Sequence, residues 1–358
     1  MHTIQAAVLR KAGGPFETES VDIDNPRDDE ILVQNIATGI CHTDIMVCDG
    51  HANDKAVILG HEGAGIVVET GKNVKNIQTG DHVLLSFQYC GECEQCRNGQ
   101  PWRCQHMGDL NFGYKRLDGS NAYLNSGVYG HFFGQSSFAT HSLVTENNCL
   151  KVSPELSLET LCPLGCGIQT GAGTVMNLMK VPKGSSIAVF GTGAVGIAAI
   201  MAARIVGAAA IIGIDIHQSR LELARELGAT HIINSSQDDV TSVISSITGG
   251  GVDFSLDLTS NPAVSQLAVD VLNPGGSFAN IARPWDIPEL SEGKKSVGVT
   301  MGSAIPQEFI PELIRYYQAG DFPFDRLEKF YDFSEINQAI ADSRSGVTIK
   351  PVLRFKQE

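Results

Sequence analysis

Residues 185–230, SSIAVFGTGAVGIAAIMAARIVGAAAIIGIDIHQSRLELARELGAT, constrain the fold of this chain more than any other stretch. The apolar run IAVF leads at once into glycines and then into a helix-compatible run that is apolar on all sides. A second apolar run ending IIGID and an amphipathic segment, SRLELAREL, follow. Alternation of this kind builds a strand–helix–strand unit with parallel strands buried on both faces. Gly191, Gly193 and Gly196 form GxGxxG directly after the first strand, and Asp215 closes the second strand 19 residues beyond Gly196. In a chain with 38 glycines the GxGxxG spacing alone is weak. A strand before it, a helix after it and an acid in register make it a dinucleotide fingerprint. The glycines permit a tight turn and close backbone approach to a pyrophosphate held at the helix N-terminus. Asp215 is suited to accept hydrogen bonds from ribose hydroxyls and would repel a 2′-phosphate, so NAD is expected rather than NADP.

Further strands are expected at VDFSLDLT and GGSFANIA, the second after a turn at Asn273-Pro274-Gly275-Gly276. They extend a doubly wound parallel sheet to about residue 299. Residues 1–85 have another texture, with short apolar runs (AAVL, ILVQNIAT, GAGIVVET) between glycine, proline and acidic turns. This region is β-rich. A strand ends near Ala37, CHTD opens a short helix with Thr43 and Asp44 in its first turn, and Gly80-Asp81 marks a turn between two strands. A length of 358 residues suits two domains. The residues after 299, with helices near PELIRYYQAG and SEINQAIADSRSG and a terminal strand IKPVLRF, are expected to return to the first domain.

A net charge of −14 and a pI near 5.1 argue against nucleic acid as a partner, because polyanion binding needs a basic surface. No basic leader with a long apolar run is present, and no run reaches the roughly 18 apolar residues of a membrane span. A cytoplasmic protein is expected. Nine cysteines in such a chain read as reduced thiols that hold metal rather than as disulfides. Cys90, Cys93, Cys96 and Cys104 form C-x2-C-x2-C-x7-C in a polar loop, a set that can close tetrahedrally on one structural zinc. An iron–sulfur run would instead have a gap of about three residues before a final Cys-Pro.

Cys41 and His61, each among glycines, offer a thiolate and an imidazole, donors that suit zinc. A buried cysteine and a satisfied core histidine are the plainer reading of the pair. A third ligand must come from elsewhere, and both Cys162 and Cys166 in LCPLGCGIQTGAGTVM qualify. The glycines flanking Cys166 favour it, because they let the backbone approach another surface. Phe132 and Phe133 in GHFFGQSSFATHSLV are either core residues or an aromatic wall for an apolar substrate.

Taken in order, GHEGAG at 60–65, the CGECEQC loop, LGCG at 164–167 and GTGAVG make the chain strongly resemble the zinc-dependent medium-chain alcohol dehydrogenase family over nearly its whole length. ICHTD and HFFGQSSFA look most like its aryl-alcohol (benzyl alcohol) dehydrogenase branch. The resemblance implies an α/β protein with a Rossmann-type domain at 161–299 and a β-rich, GroES-like catalytic domain formed by 1–160 and 300–358. It implies NAD, two zincs per chain, and Cys41, His61 and Cys166 as ligands of the catalytic one. Thr43 matches the hydroxyl that takes the substrate proton, Glu62 lies beside the metal, and Asp44 is placed to orient His61, although Thr43 and Asp44 could equally cap a helix. Asp215, Arg220 and Thr170 match residues near the adenosine ribose and the nicotinamide, and His42 and Lys350 match basic groups on the pyrophosphate.

One departure stands out. Many relatives end their proton relay in a histidine five residues after the first cysteine ligand, where this chain has Met46, a thioether that carries no proton. Water is the first candidate to complete the route and His51 the second. The implied reaction is reversible oxidation of primary, aromatic or allylic alcohols to aldehydes by a homo-oligomer, a dimer or tetramer acting on small molecules. A terpenoid alcohol dehydrogenase or a glutathione-adduct formaldehyde dehydrogenase on the same scaffold is the alternative. A catalytically silent zinc- and NAD-binding protein is the alternative from another class.

Overall fold

The structure, a computed structural model, describes residues 1–50, 55–124, 127–282 and 288–356. The chain divides into two compact units. One comprises Met1–Cys166, Ile305–Ile310 and Asp325–Glu358; the other comprises Gly167–Ala304 and Pro311–Phe324.

In the second unit six strands lie parallel in the order His231–Asn234, Ala210–Asp215, Ser186–Phe190, Val252–Asp257, Leu272–Asn280 and Lys295–Gly298. Chain order reverses between Ser186–Phe190 and Val252–Asp257, which opens a crevice at the carboxyl ends of those strands. Phe190, Ile212, Ile214, Ile233 and Phe278 fill the core on one side of the sheet. The helix Ala194–Ile205 is buried along most of its length, as its uninterrupted apolar sequence requires, whereas Gln218–Leu227 buries Leu221, Ala224 and Leu227 on a single stripe. The residues 273–276, expected as a turn ahead of a strand, lie within Leu272–Asn280, where the pairing shifts register opposite Val252 and Phe254. Gly275, at φ +76°, takes up the irregularity.

The first unit is built on two sheets. Its central strand, Glu30–Gly39, pairs antiparallel with Gly63–Thr70, His141–Thr145 and Lys350–Arg354. Ile31, Val33, Val67, Val83, Leu85 and Val144 pack its core. The register decides what meets at the strand ends. Thr38 pairs with Gly63 and Gly39 with Val352, so the segments carrying Cys41, His61 and Lys350 arrive at one end of the sheet.

Residues 300–304 and 311–324 belong to the second unit and 161–166 to the first, where the expected boundaries lay at 160/161 and 299/300. Arg204 donates to the Asp321 carbonyl at 2.6 Å, which ties 311–324 to the parallel-sheet unit. Among the described residues no helix is long and apolar enough to cross a membrane.

Candidate metal centres and dinucleotide site

Cys41 leaves the central strand and begins the helix His42–Gly50. Asp44 lies in the first turn of that helix, and its Oδ2 accepts the Cys41 N–H at 2.9 Å, the backward half of a capping box. Its Oδ1 accepts from His61 Nδ1 at 2.9 Å and from the Gly60 N–H at 3.1 Å. Capping a helix and orienting the imidazole are therefore one job done by a single buried carboxylate. Gly60 sits at φ +89°, and a Cβ there would come within 2.5 Å of the Phe138 ring and backbone, so glycine is required just before His61.

With Nδ1 facing Asp44, Nε2 is the ring atom left for a metal; it is buried and makes no hydrogen bond. Cys41 Sγ, Cys166 Sγ, the His61 ring and a Glu62 oxygen all lie within 4.8 Å of one another, and all four residues are buried. This orphaned nitrogen beside two thiols fits a zinc ion with one open position. The site's electrostatics prepare it for a cation. The hydrogen bond from Cys166, helped by His61 and Lys350 against the effect of burial, holds the Cys41 thiol well below its ordinary range. Burial lowers the basicity of His61, and Asp44 and Cys41 more than reverse this, to a pKa of about 10. Cys162, the other candidate ligand, is outside the group: its thiol faces the Glu159 carbonyl at 3.3 Å, and burial drives its pKa well up.

The four-cysteine loop makes a second centre. Sulfur–sulfur separations are 3.9 Å for Cys90–Cys96, 3.5 Å for Cys93–Cys96, 4.0 Å for Cys93–Cys104 and 3.6 Å for Cys90–Cys104. Zn–S bonds of about 2.3 Å in a tetrahedron place sulfurs about 3.8 Å apart, so the set fits a closed structural site. Backbone N–H groups of Cys93, Gln105 and His106 point at these sulfurs. The Gln105 N–H, with others, lowers the Cys93 pKa to about 6.

Phe132 and Phe133 are buried against His61. Phe133 stacks on the His61 ring at 4.3 Å, and Phe132 meets it edge-on at 5.4 Å. The loop that carries them holds His131, Phe133 and Ser136 at positive φ, a sparsely populated conformation kept by its surroundings. Sequence reasoning missed three participants. Gln135, fully buried, donates to the carbonyls of His61 and Ser86 and accepts from the Gly63 N–H, clamping the ligand segment. Phe112 and Tyr114 extend the aromatic cluster onto Phe132, with Phe112 left 46% exposed. Phe112 and Tyr114 belong to no sequence motif, and Tyr114 stands at φ +55°.

Thr43 is half-buried with its hydroxyl 3.8 Å from Cys41 Sγ, His42 is exposed, and Met46 is 40% exposed. His51 lies outside the described residues. Lys350, expected on a pyrophosphate, begins the strand Lys350–Arg354. Its ammonium is buried and meets both Glu62 oxygens, at 2.9 and 2.8 Å. Burial disfavours its charge, but Glu62 and Cys41 prevail and raise its pKa.

In the second unit Gly191 has φ +96°, and a Cβ on Gly196 would fall 2.0 Å from the Gly191 carbonyl, so both must be glycine. Gly193 begins the helix Ala194–Ile205, and a Cβ there would meet nothing within 4 Å. That open cradle at a helix N-terminus fits a dinucleotide pyrophosphate. Asp215 accepts from Thr192 N–H at 2.7 Å and Thr192 Oγ1 at 3.0 Å, which ties the acid to the glycine turn. Thr170 is buried in the helix Gly167–Gly173, and Arg220 is half-buried in Gln218–Leu227.

A parallel sheet of this strand order, with an open thiolate–imidazole cluster and a closed four-cysteine one, defines a zinc-dependent oxidoreductase. Residues 27–154 match the model of the alcohol dehydrogenase GroES-like domain and 194–316 that of the zinc-binding dehydrogenase. The chain is 43% identical to geraniol dehydrogenase of Castellaniella defragrans, over 98% of this chain and 97% of that one. It is 34% identical to S-(hydroxymethyl)glutathione dehydrogenase of Synechocystis, over 98% and 99%. Among solved structures, benzyl alcohol dehydrogenase of Acinetobacter calcoaceticus superposes with a TM-score of 0.96 at 46% identity, covering 99% of this chain and 100% of that one. The chain belongs to the zinc-dependent medium-chain alcohol dehydrogenase family, and the Rossmann-type and GroES-like folds expected from the resemblance are those of the structure.

Proposed function

We propose that this protein oxidises primary alcohols whose carbinol adjoins a π-system, benzylic or allylic, to aldehydes, reversibly and with NAD. The observation that carries the reading is the aromatic wall on the metal ligand: Phe133 and Phe132 lie on the His61 ring, with Phe112 and Tyr114 behind them. Zinc, when bound, supplies a Lewis acid that lowers the pKa of the alcohol, and NAD, when bound, supplies the hydride acceptor. Cys41, His61 and Cys166 would hold the zinc, and the four cysteines from 90 to 104 a structural one. Asp44 fixes the imidazole tautomer. Thr43 takes the hydroxyl proton and passes it on to water, since Met46 cannot carry it. The aromatic rings seat the planar part of the alcohol and exclude water from the carbinol. Asp215 favours the unphosphorylated ribose, with Gly191, Gly193 and Gly196 against the pyrophosphate, Arg220 near the ribose and Thr170 near the nicotinamide.

Relatives bearing the names geraniol dehydrogenase and benzyl alcohol dehydrogenase support this substrate class, because both alcohols place the carbinol beside unsaturated carbon. An apolar wall suits them better than it suits an anionic glutathione adduct. The test is a substrate panel followed by NADH absorbance. Benzyl alcohol and an allylic alcohol should each show a far higher kcat/KM than ethanol; equal values would defeat the reading.

A further inference from the structure

Glu62 follows a metal ligand, and one of its oxygens lies within 4.8 Å of the donor atoms of Cys41, His61 and Cys166. Four protein donors closed on one zinc leave no position for a substrate oxygen. What holds the carboxylate back is therefore a question of function. Lys350 Nζ grips Oε1 at 2.9 Å and Oε2 at 2.8 Å and also reaches the Ile40 carbonyl at 3.4 Å. The two side chains are 3% and 0% exposed. Gly39 makes the seat: its N–H donates to the Glu62 carbonyl at 3.0 Å, and a Cβ on it would lie 2.1 Å from Glu62 Oε2. Strand pairing delivers the ammonium, because Val352 pairs with Gly39 and Ile40 N–H bonds to the Pro351 carbonyl.

We propose that Lys350 is a positioning residue that holds Glu62 off the catalytic ion and so keeps its fourth position open to the alcohol. The inference rests on reading Cys41, His61 and Cys166 as a three-ligand metal site. A buried carboxylate stripped of its cation is costly, and it relaxes toward the nearest positive charge. With Lys350 made neutral, that charge is the metal. Glu62 then donates a lone pair to it, and the exchangeable oxygen ligand leaves with its own electron pair. The ion keeps its coordination number and loses its access.

Replacement of zinc by cobalt(II) at the catalytic site gives an absorption band that reads ligand exchange without turnover. In the wild-type holoprotein, imidazole should shift this band. Lys350→Met, and likewise the shorter neutral Lys350→Gln, should need about 10–100-fold more imidazole for the same shift. The double variant Lys350→Met with Glu62→Gln should return to the wild-type range, because the competing carboxylate is gone. Wild-type imidazole affinity in both single variants would overturn the proposal. So would a double variant as impaired as Lys350→Met, the result of a merely structural role. If the wild-type cobalt band survives Cys41→Ser, the three-ligand reading itself falls, and this inference with it.

Discussion

Asp44→Asn keeps the shape of the side chain and removes one acceptor, which makes it a sharp test of how the catalytic ligands are held. The carboxylate serves three buried N–H donors: Cys41 N at 2.9 Å through Oδ2, and His61 Nδ1 at 2.9 Å and Gly60 N at 3.1 Å through Oδ1. An amide has a single acceptor oxygen. If it faces His61 and Gly60, its NH2 opposes the Cys41 N–H; if it turns the other way, two donors are orphaned. The cheaper choice leaves one buried donor unpaired, at about 1–3 kcal/mol. Asp44→Ala orphans all three and should cost about 3–5 kcal/mol, as removal of one partner of a buried ion pair does. Loss of the carboxylate also weakens the imidazole as a donor, so zinc affinity should fall about 10–100-fold. Urea unfolding gives the first quantity, and transfer of catalytic zinc to a chromogenic chelator gives the second. Both should rank wild type above Asn above Ala. An Asn variant with the wild-type urea midpoint and zinc-release half-time would refute the claim that one carboxylate anchors both ligand segments.

Cys104→Ser should lower zinc content from two per chain to one and cut stability while the remaining zinc still resists chelation, measured by metal analysis and urea unfolding; loss of both zincs would contradict independent centres. Asp215→Ser removes the acceptor of Thr192 and the negative charge at the ribose, so NADH should bind about tenfold more weakly and NADPH relatively better, read by fluorescence titration. Equal losses for both cofactors would refute the assignment. Glu328 has both oxygens buried without hydrogen bonds, and burial, reinforced by Asp325 and Glu62 against Lys350, pushes its pKa up from 4.5 to about 9. The folded protein keeps a proton that the unfolded chain releases, a stabilisation complete below pH 4.5 and lost as pH rises through 9, at up to about 1.4 kcal/mol per pH unit in between. Glu328→Gln should flatten the decline in urea stability from pH 6 to 9, and an unchanged slope would count against it.

The dinucleotide unit was legible because its determinants are local: period, glycine spacing and a terminal acid all fall within one stretch of 46 residues, 185–230. The four-cysteine centre was legible for the same reason. Other features depend on pairing between distant strands, which spacing does not encode. Cys166 could be separated from Cys162 only by resemblance, and the structure separates them by where the sulfurs point. Gln135 and Phe112 carry no motif, and the segment 311–324 was misassigned because Arg204 and Asp321 meet over 117 residues of chain.

Lys350 shows the limit most clearly. A lone lysine at the start of a terminal strand reads as a solvated charge that could face a phosphate, and nothing in its neighbours contradicts that. Its environment follows from the antiparallel register that sets Val352 against Gly39, and from the absence of a Cβ on Gly39 that leaves room for the Glu62 carboxylate. A second pairing of the same central strand, Thr38 against Gly63, brings Cys41 and His61 together. Two pairings of one strand thus create both the donor cluster and the carboxylate beside it, and Lys350 is the cation that the first of them sets against that carboxylate.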